Sequence, residues 1–265
     1  GSCNSSSRFN TEIIYGRRCC FVSSNTDQEE VAKLVSKYNL LAIPVIDSDR
    51  TLLGIITVDD VVDVIREEAT EDFLQMAGIG KDREILMRST FDNVKLRLPW
   101  LFASWIGGTI AAYIIGKFEP FLESMIALAA FIPVIIGMGG NVGTQSSTII
   151  VRGFATGRLE LSKVGIVIWK EMRVGLILGI FYGLLLGIVS MFQFINAPSE
   201  LGFVLGLSIC VSMIIATSIG TLVPIFLRKL DVDPAIASGP FVTTAIDILG
   251  ILAYFLIAIS LMSKI

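Results

Sequence analysis

The chain of 265 residues contains no histidine and only four cysteines, which are Cys3, Cys19, Cys20 and Cys210. The cysteines are not spaced as metal ligands, and an adjacent pair makes a poor disulfide. We therefore expect no zinc site, and reduced cysteines that are typical of a cytosolic setting. The net charge of -3 lacks the basic excess that nucleic-acid binding requires, so no nucleic-acid partner is expected.

Charge is also absent from long stretches of the chain, and 53% of all residues are hydrophobic. Five windows exceed the roughly 17 residues that a membrane-spanning helix needs. They are Pro99–Gly116, Ser124–Val151, Val174–Ser199, Leu201–Leu227 and Pro234–Ser263. The first 98 residues carry dense charge instead. The predicted fold class is an α-helical membrane protein, with five transmembrane helices per chain and a small α/β cytosolic domain.

Basic residues flank these windows mainly on one side of the membrane. They are Lys95, Arg97, Arg152, Arg158, Lys163, Lys170, Arg173, Arg228 and Lys229. Short loops rich in lysine and arginine stay in the cytoplasm. We therefore expect a multi-pass protein of the cell membrane, with a cytoplasmic N-terminus and an extracytoplasmic C-terminus.

Four segments are predicted along the chain. Residues 1–24 are interpreted as an artificially added remnant or the cut edge of a longer protein. Residues 25–76 are interpreted as the cytosolic domain. Residues 77–98 are expected to form a connecting helix, and residues 99–265 the five-helix transmembrane domain.

The cytosolic segment predicts a helix at residues 26–39, two strands around the turn Asp47–Arg50, and a second helix. This order, with "GIITVDDVV" at its end, resembles a cystathionine-β-synthase (CBS) repeat. In nucleotide-binding members, residues matching Thr57 and Asp60 would contact a ribose, which makes ATP a candidate ligand. The alternative is that both residues only cap the second helix.

The second helix is strongly acidic, with seven acids and one base between residues 59 and 72. Carboxylates at spacings of three and four share or adjoin one helical face, where they repel one another. They are Asp60, Asp63, Glu67, Glu68, Glu71 and Asp72. A bound divalent cation would relieve this repulsion. The alternative is an ordinary solvated helix surface.

Glycines occur in the membrane segment in two patterns. Gly175, Gly179, Gly183 and Gly187 recur every four residues, which predicts a helix-contact face. The stretch "GMGGNVGTQS" is irregular, contains polar amides and follows a proline. It predicts a helix break whose free carbonyls line a wet cavity, with tight packing as the alternative.

Asp247 follows thirteen uncharged residues and precedes sixteen more, and we expect it to be the only acid inside the spans. A carboxylate at this depth marks a functional site, as a proton relay, a cation ligand or a structural acid. No basic residue inside a span can pair with it, which favours a cation. Because Mg²⁺ keeps most of its waters and needs few carboxylates, two such residues in a twofold dimer, together with carbonyls from the glycine stretch, would hold it.

Four motifs together closely resemble the MgtE magnesium channels. They are "TVDDVVDVIREEATEDF", "PVIIGMGGNVGTQSSTIIVRG", "KEMRVGLILG" and "DVDPAIASGPFVTTAIDILG". The resemblance covers about residue 25 to the end. It implies a homodimer in the lipid bilayer that passes Mg²⁺ down its electrochemical gradient and closes when cytosolic Mg²⁺ binds its acidic sites. Mg²⁺ would thus be both the transported and the regulatory divalent cation.

The resemblance also implies roles for individual residues. Asp247 matches the pore carboxylate, and the acids of the second cytosolic helix named above match the Mg²⁺ sensor. Glu119 and Glu123 match acids near the outer mouth, although an exposed helix end explains them equally. The backbone that lines the pore matches Gly139, Gly140, Asn141 and Gly143.

The sequence predicts no enzyme, because neither paired aspartates nor a Ser/His constellation lies in the spans. Two alternatives to a channel stay open. One is a proton-coupled divalent-cation carrier or exporter in which Asp247 titrates. The other is a nucleotide-sensing membrane scaffold without transport.

Overall fold

A computed structural model describes residues 12–14, 17–19, 21–79, 88–194, 198, 200–237 and 239–262. The chain divides into two compact units, Gly1–Asp72 and Phe73–Ile265. Five helices in the described ranges are long and apolar enough to cross a membrane, and a small α/β unit precedes them. The predicted fold class is therefore confirmed.

The first unit contains two small sheets. Its elements are β1 (Glu12–Ile14), β2 (Arg17–Cys19), β3 (Val22–Ser23), α1 (Gln28–Tyr38), β4 (Ala42–Ile46), β5 (Leu52–Thr57) and most of α2 (Val58–Met76). β1 and β2 pair antiparallel, while β4 lies between β3, to which it is parallel, and β5, to which it is antiparallel. The predicted order of helix, two strands and helix is found in the structure.

Local chemistry fixes the ends of these elements. The Asp27 carboxylate caps α1 by accepting a hydrogen bond from the Glu29 N–H at 2.8 Å, and Asn39 ends the helix in the left-handed region at φ 50°. Between β4 and β5, the Asp47 carboxylate accepts from the N–H groups of Asp49 and Thr51.

The core of this unit lies between the three-stranded sheet and its helices. It contains Val22, Val31, Ala32, Val35, Ile43 and Val61. Val22 is buried here although the sequence analysis set residues 1–24 aside. The boundaries proposed for the four segments otherwise stay a prediction.

The second unit is a bundle of helices. They are α3 (Thr90–Lys117), the short α4 (Glu119–Ser124), α5 (Ile126–Ala155), α6 (Val164–Gln193), α7 (Glu200–Lys229) and α8 (Pro240–Met262). α7 packs against α5, α6 and α8, and α3 packs against α8. Single 3₁₀ turns precede α6 and α8.

The third span starts ten residues earlier than the window Val174–Ser199 indicates, because α6 begins at Val164. The charged residues Lys170 and Arg173 lie inside the helix with exposed side chains. Long basic side chains can extend from a helix toward water, so they do not end it. The first span is longer as well, since α3 begins at Thr90 and contains Pro99 in its interior.

The predicted break in the second span is wrong, because α5 runs without interruption from Ile126 to Ala155. Gly139 and Gly143 pack closely against α7 and α8, and this packing offsets their low helix propensity. The Gly140 carbonyl accepts a hydrogen bond from the Thr144 hydroxyl at 2.8 Å. The interpretation that this stretch frees carbonyls into a cavity is therefore not supported.

The regular glycine pattern of α6 does form a helix-contact face, as predicted. A Cβ on Gly179 would lie 2.9 Å from the Cys210 Cα, and a Cβ on Gly187 would lie 2.9 Å from the Gly202 carbonyl oxygen. On α7, the contacted residues Gly202 and Cys210 lie four residues to either side of Gly206, so they also follow a spacing of four. The two backbones are thus in direct contact because no side chain separates them.

Candidate metal centre in the membrane

Asp247 lies in the interior of α8 and is half-buried. Gly140 of α5 lies beside it, and an added Cβ there would lie 3.9 Å from the Asp247 Oδ1. The structure therefore brings together two of the residues predicted from sequence to form the pore. A glycine at position 140 leaves the backbone of α5 open toward the carboxylate.

The close approach of α8 to α5 depends on two other glycines. Gly139 is buried, and its Cβ position would lie 3.2 Å from Ile246 and 3.1 Å from the Ser212 hydroxyl of α7. Gly143 is also buried, and the end of the Ile246 side chain occupies the space where its Cβ would stand. Ile246 precedes Asp247, so this contact places the carboxylate beside α5.

No protein group neutralises Asp247 within the ranges that the structure describes. Neither a hydrogen bond nor an ion pair to its carboxylate is found there. An unpaired carboxylate at membrane depth is costly, by about 2.5 to 3.5 kcal/mol on insertion scales. A cation or a proton would remove this cost, which keeps both the channel and the carrier hypotheses open.

Asn141 does not join this contact. It lies on the exposed face of α5, together with Gly137, Thr144 and Gln145. Successive residues of a helix differ by 100° in direction, so Gly140 and Asn141 face different surroundings. The role predicted for Asn141 in the pore stays a prediction.

The predicted sensor acids all lie on α2. Asp60, Asp63 and Glu67 are exposed, while Glu68 accepts a hydrogen bond from the Gln28 amide at 2.8 Å. In the described part of the chain, no three acids or cysteines lie close enough to hold a metal ion. The remaining members of the set, Glu71 and Asp72, are partly buried.

Thr57 immediately precedes α2, at the capping position that the sequence predicts. Its hydroxyl donates to the Asp60 Oδ2 at 3.2 Å. A side-chain hydrogen bond from Thr57 is also the main cause of a lowered pKa at the neighbouring Asp59, with backbone N–H groups adding to it. The hydroxyl thus faces both carboxylates of the first turn as a donor, and both the capping role and the nucleotide contact stay predictions.

Glu119 and Glu123 lie on α4, immediately before α5. They are one helical turn apart and both are exposed. Their position at the end of α5 opposite to Arg152 agrees with the expected outer mouth, while their exposure agrees equally with a solvated helix end.

Glu171 is a buried acid that the sequence analysis missed. It lies in α6 with 6% of its surface exposed, so the expectation that Asp247 is the only acid inside the spans is wrong. Its Oε2 accepts a hydrogen bond from the Ser146 hydroxyl of α5 at 2.8 Å. The flanking Lys170 and Arg173 suggested a loop, but Glu171 stands four residues before the first glycine of the α6 pattern.

The end of α2 contacts the start of α8. An added Cβ on Gly239 would lie 2.9 Å from the Met76 carbonyl oxygen, and one on Gly78 would lie 3.3 Å from Pro240. Trp100 of α3 and Phe241 of α8 meet edge to face at 5.9 Å beside them. The last residues of α2, which belong to the second unit, therefore contact the segment where α8 begins. The connector expected at 77–98 is helical from Thr90 onward, and its residues 80–87 lie outside the described ranges.

Comparison with known families agrees with these observations. Residues 132–257 match the MgtE family, described as divalent cation transporters, and residues 12–67 match the CBS domain. The first match contains the contact between Gly140 and Asp247, and the second contains Thr57 and most of the acids of α2.

Three curated relatives are similar over most of the chain. A magnesium transporter MgtE of Bacillus subtilis is 44% identical over 237 residues, which are 88% of this chain and 51% of the relative. The MgtE proteins of Thermus thermophilus and Enterococcus faecalis are each 40% identical, covering 92% of this chain and 54% and 53% of the relatives. The chain thus spans about half the length of these relatives. All three are named transporters, in agreement with the prediction that the chain is not an enzyme.

Proposed function

Because the chain belongs to the MgtE family of divalent cation transporters, we propose that it forms a channel for Mg²⁺ across the cell membrane. The ion moves down its electrochemical gradient past Asp247. Two chains form the pore, so that each contributes one carboxylate.

The observation that supports this proposal most is the carboxylate of Asp247, which has no partner among the described residues and lies opposite the backbone at Gly140. A hydrated Mg²⁺ needs acceptors for its water protons and a negative charge, but few direct ligands. The carboxylate supplies the charge, and the absence of a side chain at Gly140 leaves room for water. A single acid per chain holds the ion weakly enough for it to leave again.

Cytosolic Mg²⁺ regulates the channel by binding to the acidic face of α2. Neutralising repelling carboxylates stabilises one position of this helix. The contact of Met76, at the end of α2, with Gly239, eight residues before Asp247, supports a route to the start of α8. The regulatory cation thereby biases the position of the pore carboxylate.

The basic residues at the ends of the helices support a cytoplasmic N-terminus. Arg152 ends α5, Lys163 precedes α6, and Arg228 and Lys229 end α7. All these ends lie on the side where α8 begins, and the C-terminus is therefore extracytoplasmic.

The test is Mg²⁺ uptake into lipid vesicles that contain the purified chain of 265 residues. Asp247→Asn should lower the initial rate at least about tenfold, as expected when a charged hydrogen-bonding group is lost. The matched control is Asp231→Asn, because Asp231 is an exposed acid of the same unit at φ 56°, which asparagine tolerates.

Equal uptake by wild type and Asp247→Asn would contradict the assignment of the pore. The uptake assay also separates the channel from the carrier. A channel responds to the membrane potential and not to a pH gradient, whereas uptake that requires an opposing proton gradient would favour the proton-coupled carrier.

A further inference from the structure

Two side-chain hydrogen bonds hold α5 to other membrane helices, among the residues that the structure describes. The Tyr254 hydroxyl of α8 donates to the Leu128 carbonyl at 2.8 Å, and the Ser146 hydroxyl donates to Glu171 of α6 at 2.8 Å. In the described ranges, the other side-chain hydrogen bonds of these helices join residues only three or four positions apart in the chain. The two bonds lie on either side of the glycine stretch that faces Asp247.

The glycines that face α8 supply no directional bond to fix the orientation of α5. Gly139, Gly140 and Gly143 have no side chains that could form a hydrogen bond, and the contact of Gly139 and Gly143 with Ile246 is packing alone. A rotation of α5 by one residue, or 100°, would turn Gly140 away from Asp247. Directional bonds at the two ends of the stretch oppose such a rotation.

Ser146 is well placed for this purpose. It follows Gly139 by seven residues, so it lies on the same face of α5, roughly 10 Å further along the axis. Both Ser146 and Glu171 are more than nine-tenths buried, with 3% and 6% of their surfaces exposed. Glu171 has no other hydrogen-bond or ion-pair partner in the described part of the chain.

We infer that Glu171 is a positioning residue for ion passage, which holds α5 through Ser146 so that Gly140 faces Asp247. This inference rests on the proposed function. The carboxylate is used as a strong hydrogen-bond acceptor and does not touch the transported ion. Burying an acid at this place is costly, and an apolar residue would pack there equally well if only helix contact were needed.

The experiment measures the initial rate of Mg²⁺ uptake into vesicles as a function of Mg²⁺ concentration. Ser146→Ala should raise the half-saturating concentration about threefold to tenfold, the range for one interhelical hydrogen bond in a membrane. The maximal rate should change little. Ser146→Thr keeps the hydroxyl and should stay within about twofold of wild type, while Glu171→Gln keeps an acceptor oxygen without the charge and should lie between wild type and Ser146→Ala.

The matched control is Ser218→Ala in α7. Ser218 is half-buried, but its hydroxyl bonds only to the Ile214 carbonyl of its own helix at 2.7 Å. A merely structural role of Ser146 would lower the amount of folded protein and the maximal rate, without a change in the half-saturating concentration.

A double variant, Ser146→Ala with Glu171→Leu, tests whether the two residues act together. If they do, it has the same half-saturating concentration as Ser146→Ala alone. Additive effects, or a Ser146→Ala variant like wild type, would overturn the inference while leaving the channel intact. A wild-type chain without any Mg²⁺ uptake would instead overturn the proposed function, and the inference with it.

Discussion

The contact of α6 with α7 and the contact of α5 with α8 both depend on glycine, but the two differ in what the glycines meet. Along α6, Gly183 and Gly187 meet glycines of α7, and backbone lies against backbone. Along α5, Gly139 and Gly143 meet the Ile246 side chain, and Gly140 meets the Asp247 carboxylate. The first contact is regular and the second is not.

This difference separates packing from function in a membrane helix. A spacing of four repeats one face and needs nothing but small residues, so a regular pattern indicates helix association. Irregular glycines beside a buried acid make room for a polar group as well as for a helix. Substitutions in the two contacts should therefore have different consequences.

The largest effect is expected in the packing contact. A Cβ on Gly183 would lie 2.6 Å from the Gly206 carbonyl oxygen, which belongs to the backbone and cannot move aside. Gly183→Leu should destabilise the fold by about 3 kcal/mol or more. Size-exclusion chromatography after heating should show loss of the folded species, while Gly165→Leu, in open space on the same helix, should be tolerated.

A smaller effect, on transport alone, is expected in the other contact. Gly140→Ala places a methyl 3.9 Å from the Asp247 Oδ1, an ordinary contact distance, so the fold should persist. The methyl displaces water from the carboxylate and should lower Mg²⁺ uptake roughly threefold to tenfold, the equivalent of one net hydrogen bond.

Gly137→Ala is the control for this variant, because nothing lies within 4 Å of its Cβ position. If Gly140→Ala unfolds the protein as Gly183→Leu does, the distinction between the two contacts is not valid.

The smallest effect is expected at a glycine outside both contacts. Gly239→Ala brings a Cβ to 2.9 Å from the Met76 carbonyl oxygen, where α2 meets α8. We expect a strain of about 1 kcal/mol at this contact. The internal Mg²⁺ concentration at which uptake falls to half should therefore change by a factor of about three to five. The maximal rate should not change, and Gly165→Ala should behave as wild type in the same vesicle assay.

Two features of the membrane unit could be predicted because each depends on the local sequence of a single helix. The acid Asp247 stands out in an apolar run, and the spacing of Gly175, Gly179, Gly183 and Gly187 is regular. Each signal depends only on local sequence and the geometry of one helix. The residues also suggested that the glycine stretch and Asp247 form one site, but neither pattern shows that Gly140 is the glycine beside the carboxylate.

Two other features depend on neighbouring helices, and the sequence could not reveal them. Glycines and a proline predict a break in α5, but Ile246 and Ser212 from other helices pack on the glycines and the helix continues. Glu171 is flanked by Lys170 and Arg173, which suggested a loop. Whether a charged residue becomes buried depends on how far its helix extends and which face it turns to the bundle.

The regular repeat of α6 and α7 does not by itself determine how the two helices are aligned lengthwise. A slip by one turn would again bring glycines together, with Gly183 against Gly202 instead of Gly206. The same spacing of four continues to Glu171 at one end of the repeat and to Met191 at the other. A slip in one direction would move Glu171 to the place of Gly175, and a slip in the other would move Met191 to the place of Gly187, where in both cases there is no room for a side chain. These two residues therefore restrict the helices to a single alignment.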